Sequence, residues 1–275
     1  MKILAIDSSG LVASVAVAED DTLLAEYTVN YKKTHSQTLL PMMDEVTRMI
    51  DLDLQSLDAI AVAGGPGSFT GLRIGSATAK GLGLALDLPL VSVPTVDALA
   101  WNLYGFSGNI CPMMDARRSQ VYTGIYSFEA GEFVTKRPQE PMAVADILQA
   151  VNDLGQDVIF LGDGVPVYRE MILKQVAVPY QFAPAHLNRQ RAASVAVLAM
   201  QYYKEGKIQT ADEHKPEYMR LSQAERERAA QKKKKGRRYE NGKVRELPDL
   251  DSPHETIGSP GSGQNRTGFF FSALE

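Results

Sequence analysis

GGPGSFTGLRIG, residues 64–75, joins the uninterrupted apolar run 59–63 (Ala-Ile-Ala-Val-Ala) to a proline-free stretch ending at Leu86. The run has the length and composition of a buried strand. Residues 72–86 read as a helix entered near Gly71 or Arg73. Gly64, Gly65, Pro66 and Gly67 let the backbone turn sharply and come close to a neighbour. A glycine-rich turn that feeds a helix N-terminus gathers free N–H groups, the usual apparatus for holding an anion.

Outward from this unit the chain reads as two copies of one pattern. Residues 2–7 form a strand ending on Asp7, Ser8-Ser9-Gly10 a tight turn, and 12–18 and 22–29 two further strands. Thr34 and Gln37 fit a capping box. Leu39, Met42, Met43, Val46, Met49 and Ile50 then recur at helical spacing over 35–50, with Pro41 expected to kink that helix or mark its regular start. A strand at 91–94 and a helix at 96–104 follow the glycine unit. The pattern restarts with strands 110–115, ending on Asp115, and 120–128. Helix 143–153, strand 158–161, the turn Gly162-Asp163-Gly164, and helices 166–175 and 190–205 complete it. The spacing predicts a duplicated α/β unit, with a first lobe over 1–100, a second over 101–187, a C-terminal helix and closing segment over 188–222, and a tail over 223–275.

Composition bounds the function. The chain has 275 residues, 44% of them hydrophobic, and one cysteine, so no intramolecular disulfide forms and a reducing cytoplasm is expected. The N-terminal apolar run is too short for a signal peptide, and no run is long enough to span a membrane. Residues 232–275 carry nine basic and six acidic side chains, which leaves twenty basic against twenty-seven acidic in 1–231. An acidic body is a poor grip for a phosphate backbone. The basic run Lys232–Lys235 with Arg237 and Arg238, broken afterwards by proline and glycine, reads as a disordered tail able to add salt-sensitive, sequence-independent nucleic-acid contact.

Two lobes, each with an aspartate-ended strand and a hydroxyl or glycine turn, resemble the superfamily of acetate and sugar kinases, heat-shock ATPases and actin. This is the duplicated RNase-H-like, actin-like (ASKHA) fold. DSSG at 7–10, THSQTLLP at 34–41, GGPGSFTGLRIG at 64–75, DARRSQVY at 115–122 and PEYMR at 216–220 together resemble the TsaB (YeaZ) family over roughly residues 1–222. The resemblance implies a cytoplasmic, non-catalytic dimerisation subunit of the tRNA threonylcarbamoyladenosine synthase. Its partners would be a TsaD-type transferase, a TsaE-type ATPase through the complex, a second copy when alone, and tRNA indirectly.

TsaD-like proteins hold a metal through two histidines four residues apart at the start of the corresponding helix. Here His35 is followed at that spacing by Leu39, so no metal is expected and His35 reads as a surface or interface residue. No cofactor is expected beyond weak nucleotide binding. Asp7, Ser8, Ser9, Gly65, Gly67, Asp163 and Gly164 are candidate vestigial nucleotide loops, and each also reads as a plain structural turn. Arg117 and Arg118 are candidate RNA or partner contacts that read equally as solvated cations. Cys111 lies in an apolar strand, where thiols are inert, and no Gly-x-Ser-x-Gly elbow is present. The alternative function is a small-molecule, sugar-type kinase of the same fold.

Gly71, Gly75, Ala79 and Gly83 recur every four residues, and glycines inside a helix each cost about 0.8–1 kcal/mol against alanine. The expectation is a partner interface made by this stripe and the row Leu39, Met43, Val46 and Ile50, with Gly75→Leu breaking association in a folded monomer.

Overall fold

The computed structural model describes residues 1–220. The expectations for the tail over 223–275 lie outside the described residues. In chain order the strands are β1 (Lys2–Asp7), β2 (Ala13–Glu19), β3 (Thr22–Val29), β4 (Ala59–Gly65), β5 (Leu90–Pro94), β6 (Asn109–Asp115), β7 (Gln120–Glu129), β8 (Glu132–Ala143), β9 (Val158–Leu161) and β10 (Tyr180–Phe182). The helices are α1 (His35–Met49), α2 (Phe69–Leu86), α3 (Thr95–Trp101), α4 (Val144–Leu154), α5 (Gly164–Gln175) and α6 (Ala192–Lys204).

Two five-stranded sheets have the same plan. The first is ordered β3-β2-β1-β4-β5 and the second β8-β7-β6-β9-β10. In each, an antiparallel meander of three strands continues into two parallel ones. This is the duplicated α/β plan that the repeated pattern predicts and the actin-like fold that the family resemblance implies. No helix among the described residues is long and apolar enough to cross a membrane.

Side-chain size divides the two faces of the first sheet. Alternation along β4 sends Ala59, Ala61 and Ala63 to one face, beside Ala5, Ala16 and Ala18, where α6 packs with its own Ala192, Ala196 and Ala199. Ile60 and Val62 go to the other, with Leu4, Ile6, Val15 and Val17, against α1. A small-residue face lets a helix lie close; the branched face fills a thicker layer. The packing also crosses the lobe boundary. α3, at the end of the first lobe, lies against β6 and β7 of the second sheet, while the C-terminal helix α6 lies against β1, β2 and β5 of the first. Glu26 of β3 fixes the entry to α6. Its carboxylate accepts from Arg191 and, at 3.2 Å, from the free N–H of Ala193 at the helix start.

Several local expectations are corrected. Thr34 makes no side-chain cap bond, so the capping box does not form, and α1 already begins at His35, ahead of Pro41. α2 starts at Phe69, three residues before the expected start, because Ser68 Oγ accepts the N–H of Gly71 at 3.3 Å. β8 and β10 carry no strand signal. β8 contains Pro138 and Pro141 with Lys136, Arg137 and Glu140 between and beside them, tolerable because it is an edge strand bonded on one side only.

Candidate functional site

β1 delivers Asp7 to the end of the first sheet, where α2 closes over the turn that follows. Ser68 N–H donates to Ser9 O at 2.6 Å and Ser8 Oγ donates to Gly71 O at 2.9 Å. A Cβ on Gly67 would stand 2.3 Å from Ser9 O, on Gly71 2.0 Å from Ser8 O, and on Gly75 2.4 Å from Ser8 Oγ. No side chain fits at those distances. Gly71 and Gly75 of α2 therefore serve the lobe's own turn.

That result corrects the expected partner interface. Gly71, Gly75, Ala79 and Gly83 are all buried against the lobe, with a Cβ on Gly83 falling 2.4 Å from Leu90. Leu39, Met43 and Val46 are core residues beneath α1, and Ile50 packs half-buried against them. The packing reason that the glycines demand is intramolecular, and Gly75→Leu would disrupt the monomer itself.

The turn is bonded within itself. Asp7 is 1% exposed; its Oδ1 accepts from Ser9 N–H at 2.9 Å and Ser9 Oγ at 2.6 Å, while Oδ2 has no hydrogen-bond partner among the described residues. Burial pushes the carboxyl up to about 6, against the pull of the two Ser9 bonds and of His35. His35, expected at the surface or an interface, also has a role inside the lobe. It is half-buried, and its Nε2–H donates to Gly10 O at 2.8 Å, pinning the far end of the turn.

The glycine turn at 64–67 is likewise occupied by the chain. Gly65 N–H donates to Thr95 Oγ1 at 3.1 Å, the Gly65–Pro66 bond is cis, and a Cβ on Gly65 would lie 2.3 Å from Glu217 O. Its N–H and the space around it are thus engaged, so the turn does not present the open anion cradle its wording suggests.

The second lobe repeats this arrangement with different side chains. Asp163 Oδ1 accepts from Asp115 N–H at 3.0 Å, and burial raises the Asp163 carboxyl, partly offset by that bond and by Arg189. Asp115 accepts from Arg117 N–H at 2.9 Å and from Tyr168 OH at 2.8 Å. A Cβ on Gly164 would come 2.9 Å from Met113 O. Arg117 and Arg118 are exposed at the turn tip, both at positive φ, and Arg117 Nη1 lies 3.3 Å from Asp115. Cys111 is fully buried beside Thr123, and burial pushes its thiol up to about 12.

With the inner face of α2 spent, the outer face stands out. Thr70, Arg73, Ala77, Gly81, Leu84 and Ala85 are exposed, with Leu84 at 63% and nothing within 4 Å of a Cβ on Gly81. On α1, Leu40 and Met49 are exposed as well. Ala77, Gly81 and Ala85 are also spaced by four, so the sequence holds two small-residue stripes on opposite sides of one helix.

A family model described as TsaD, tRNA N6-adenosine threonylcarbamoyltransferase, matches residues 22–228. A protein of Bacillus subtilis (strain 168) named tRNA threonylcarbamoyladenosine biosynthesis protein TsaB is 36% identical over 227 residues, 82% of this chain and 96% of that protein. The chain belongs to the TsaB (YeaZ) family. The TsaB of Escherichia coli (strain K12) is 27% identical, over 80% of this chain and 95% of its own. The solved structure of YeaZ from Pseudomonas aeruginosa superposes with a TM-score of 0.65 at 25% identity, covering 79% of this chain and 99% of that one. A second Pseudomonas aeruginosa structure, described as similar to peptidase YEAZ, gives 0.68 at 26%, covering 80% of this chain and 99% of that one. TsaB-family likeness thus spans both lobes.

Proposed function

We propose that this chain acts in tRNA threonylcarbamoyladenosine synthesis as a non-catalytic subunit that holds a TsaD-type transferase against the outer face of α2. The observation that carries the reading is the two-sidedness of that helix. Its inner glycines are consumed by the lobe, while its exposed positions carry one charge, Arg73, among Thr70, Ala77, Gly81, Leu84 and Ala85. The outer face of a helix facing only water is ordinarily polar. A flat apolar face that leaves room at Gly81 suits close approach of a second helix.

Two features support a non-catalytic role. His35 spends its Nε2–H on Gly10 O, and the position four residues on is Leu39, 1% exposed in the core. The turn residues Asp7, Ser8 and Ser9, with Gly65 and Gly67, are bonded to or packed on the chain's own backbone, in keeping with vestigial nucleotide loops. In the absence of the transferase the same face pairs two copies. A TsaE-type ATPase and tRNA then meet this subunit through the assembled complex.

The test is reconstitution. The isolated chain is expected to form no threonylcarbamoyladenosine and turn over no ATP. Mixed with the transferase it is expected to co-elute as a complex and to be required for modification of tRNA. ATP turnover by the isolated chain would favour the kinase reading instead.

A further inference from the structure

Residues 207–220 run as a strap over the first lobe. Gln209 and Leu90 exchange two backbone hydrogen bonds of 2.8 and 2.9 Å, and Lys80 Nζ donates to His214 O at 3.3 Å. Glu217 N–H donates to Gly64 O at 2.7 Å, and Gln139 of β8 donates to Gly65 O at 3.2 Å and to the Glu217 carboxylate at 3.3 Å. The glycine turn is therefore shaped around the PEYMR segment.

The strap sets Tyr218 beside the start of α2. Its ring lies 4.6 Å from that of Phe69, and its hydroxyl accepts from Arg73 Nε at 3.2 Å. The Arg73 guanidinium sits 4.0 Å over the Phe69 ring and 6.0 Å from the Tyr218 ring. Arg73 is exposed yet held by one edge and by the faces of two rings. Its two terminal Nη groups have no hydrogen-bond partner among the described residues.

A partner that covers an apolar face strips water from a cation within it, and a cation so desolvated requires an opposite charge. We infer that Arg73 is the electrostatic anchor of the docking face, positioned by Tyr218 and Phe69 so that its two Nη groups fork onto a carboxylate of the transferase. The inference rests on the reading that the outer face of α2 receives that subunit. The remaining exposed positions on the helix are uncharged, and residues 1–231 carry an acidic excess. Both favour a protein carboxylate over the phosphates of an RNA.

Titration calorimetry of the full chain with the purified transferase, at about 50 and about 300 mM salt, tests this. Arg73→Ala is expected to weaken binding about tenfold or more and to flatten its salt dependence, with Arg73→Lys between it and wild type. Tyr218→Phe keeps the ring and loses the hydroxyl, and is expected to weaken binding a few-fold with the salt dependence retained. Leu84→Glu probes the face independently. If Leu84→Glu abolishes binding while Arg73→Ala stays within about twofold of wild type, the anchor is refuted and the docking face stands. Wild-type affinity for Tyr218→Phe overturns the positioning role. Wild-type affinity for Leu84→Glu overturns the docking reading itself.

Discussion

The two lobes share one sheet order and place an aspartate-ended strand beside a glycine turn, yet they treat the following turn in opposite ways. In the first, α2 carries Gly71 and Gly75 where it crosses the turn, and Ser8 and Ser9 disappear beneath it, 2% and 0% exposed. In the second, α5 presents Val165, Tyr168 and Ile172 to its lobe, and Arg117, Arg118 and Ser119 remain on the surface. Side-chain size on the covering helix decides the outcome. A helix without side chains can lie on the turn and seal it, whereas a helix with them stands off and reaches back with one hydroxyl, Tyr168 OH to Asp115. The sealed turn is structural, and the helix that seals it has its opposite face exposed.

The comparison can be broken most sharply at the seal. Gly71→Val places a branched side chain where a Cβ already falls 2.0 Å from a backbone carbonyl. It should cost more than about 3 kcal/mol and leave little folded protein, read by urea denaturation. Asp7 tests the cost of the seal to the buried carboxyl. Its folded-state value of about 6 lies above the ordinary 3.8, so protonation favours the fold. Its stability contribution is full below pH ~4 and is lost as pH rises towards ~6, a loss on the order of 2–3 kcal/mol. Asp7→Asn should match wild type near pH 4, exceed it by that order at pH 7, and show a flatter profile between them, read by denaturation at each pH. Gly81→Ala, on the open side of α2, should stabilise by about 0.8–1 kcal/mol, the reverse of any glycine replacement on the inner face. At the open turn of the second lobe, Arg118 holds a φ of 58°. Arg118→Gly should gain about 0.5 kcal/mol by thermal denaturation, since glycine adopts that conformation freely.

Much of this architecture was legible in the chain. The two aspartate-ended strands and the two glycine turns announce the duplication, and the apolar run 59–63 announces a buried strand, whose two faces are told apart only by what packs on them. The inward-facing stripe of α2 resists such a reading for a definite reason. Gly71, Gly75, Ala79 and Gly83 share their spacing with Ala77, Gly81 and Ala85, and periodicity alone says that each set lies along one side without saying which side faces in. The decision belongs to long-range contacts, namely the Ser8 carbonyl and the Leu90 side chain. The role of His35 was hidden in the same way, because its partner Gly10 O is a backbone atom 25 residues away. β8 was concealed by prolines and charges that only an edge position permits. The PEYMR segment was visible as a family motif, and its seating on Gly64 and Gly65 emerges only from the folded chain.

The central claim is that α2 folds with one face and docks with the other, and light scattering of one variant during gel filtration tests it directly. Gly81→Glu puts a charged side chain into open space on the outer face, where a Cβ meets nothing within 4 Å. The account predicts a protein with near wild-type melting that elutes separately from the TsaD-type transferase while the wild-type chain elutes with it. A Gly81→Glu chain that still travels with the transferase at the mass of the wild-type complex would contradict it.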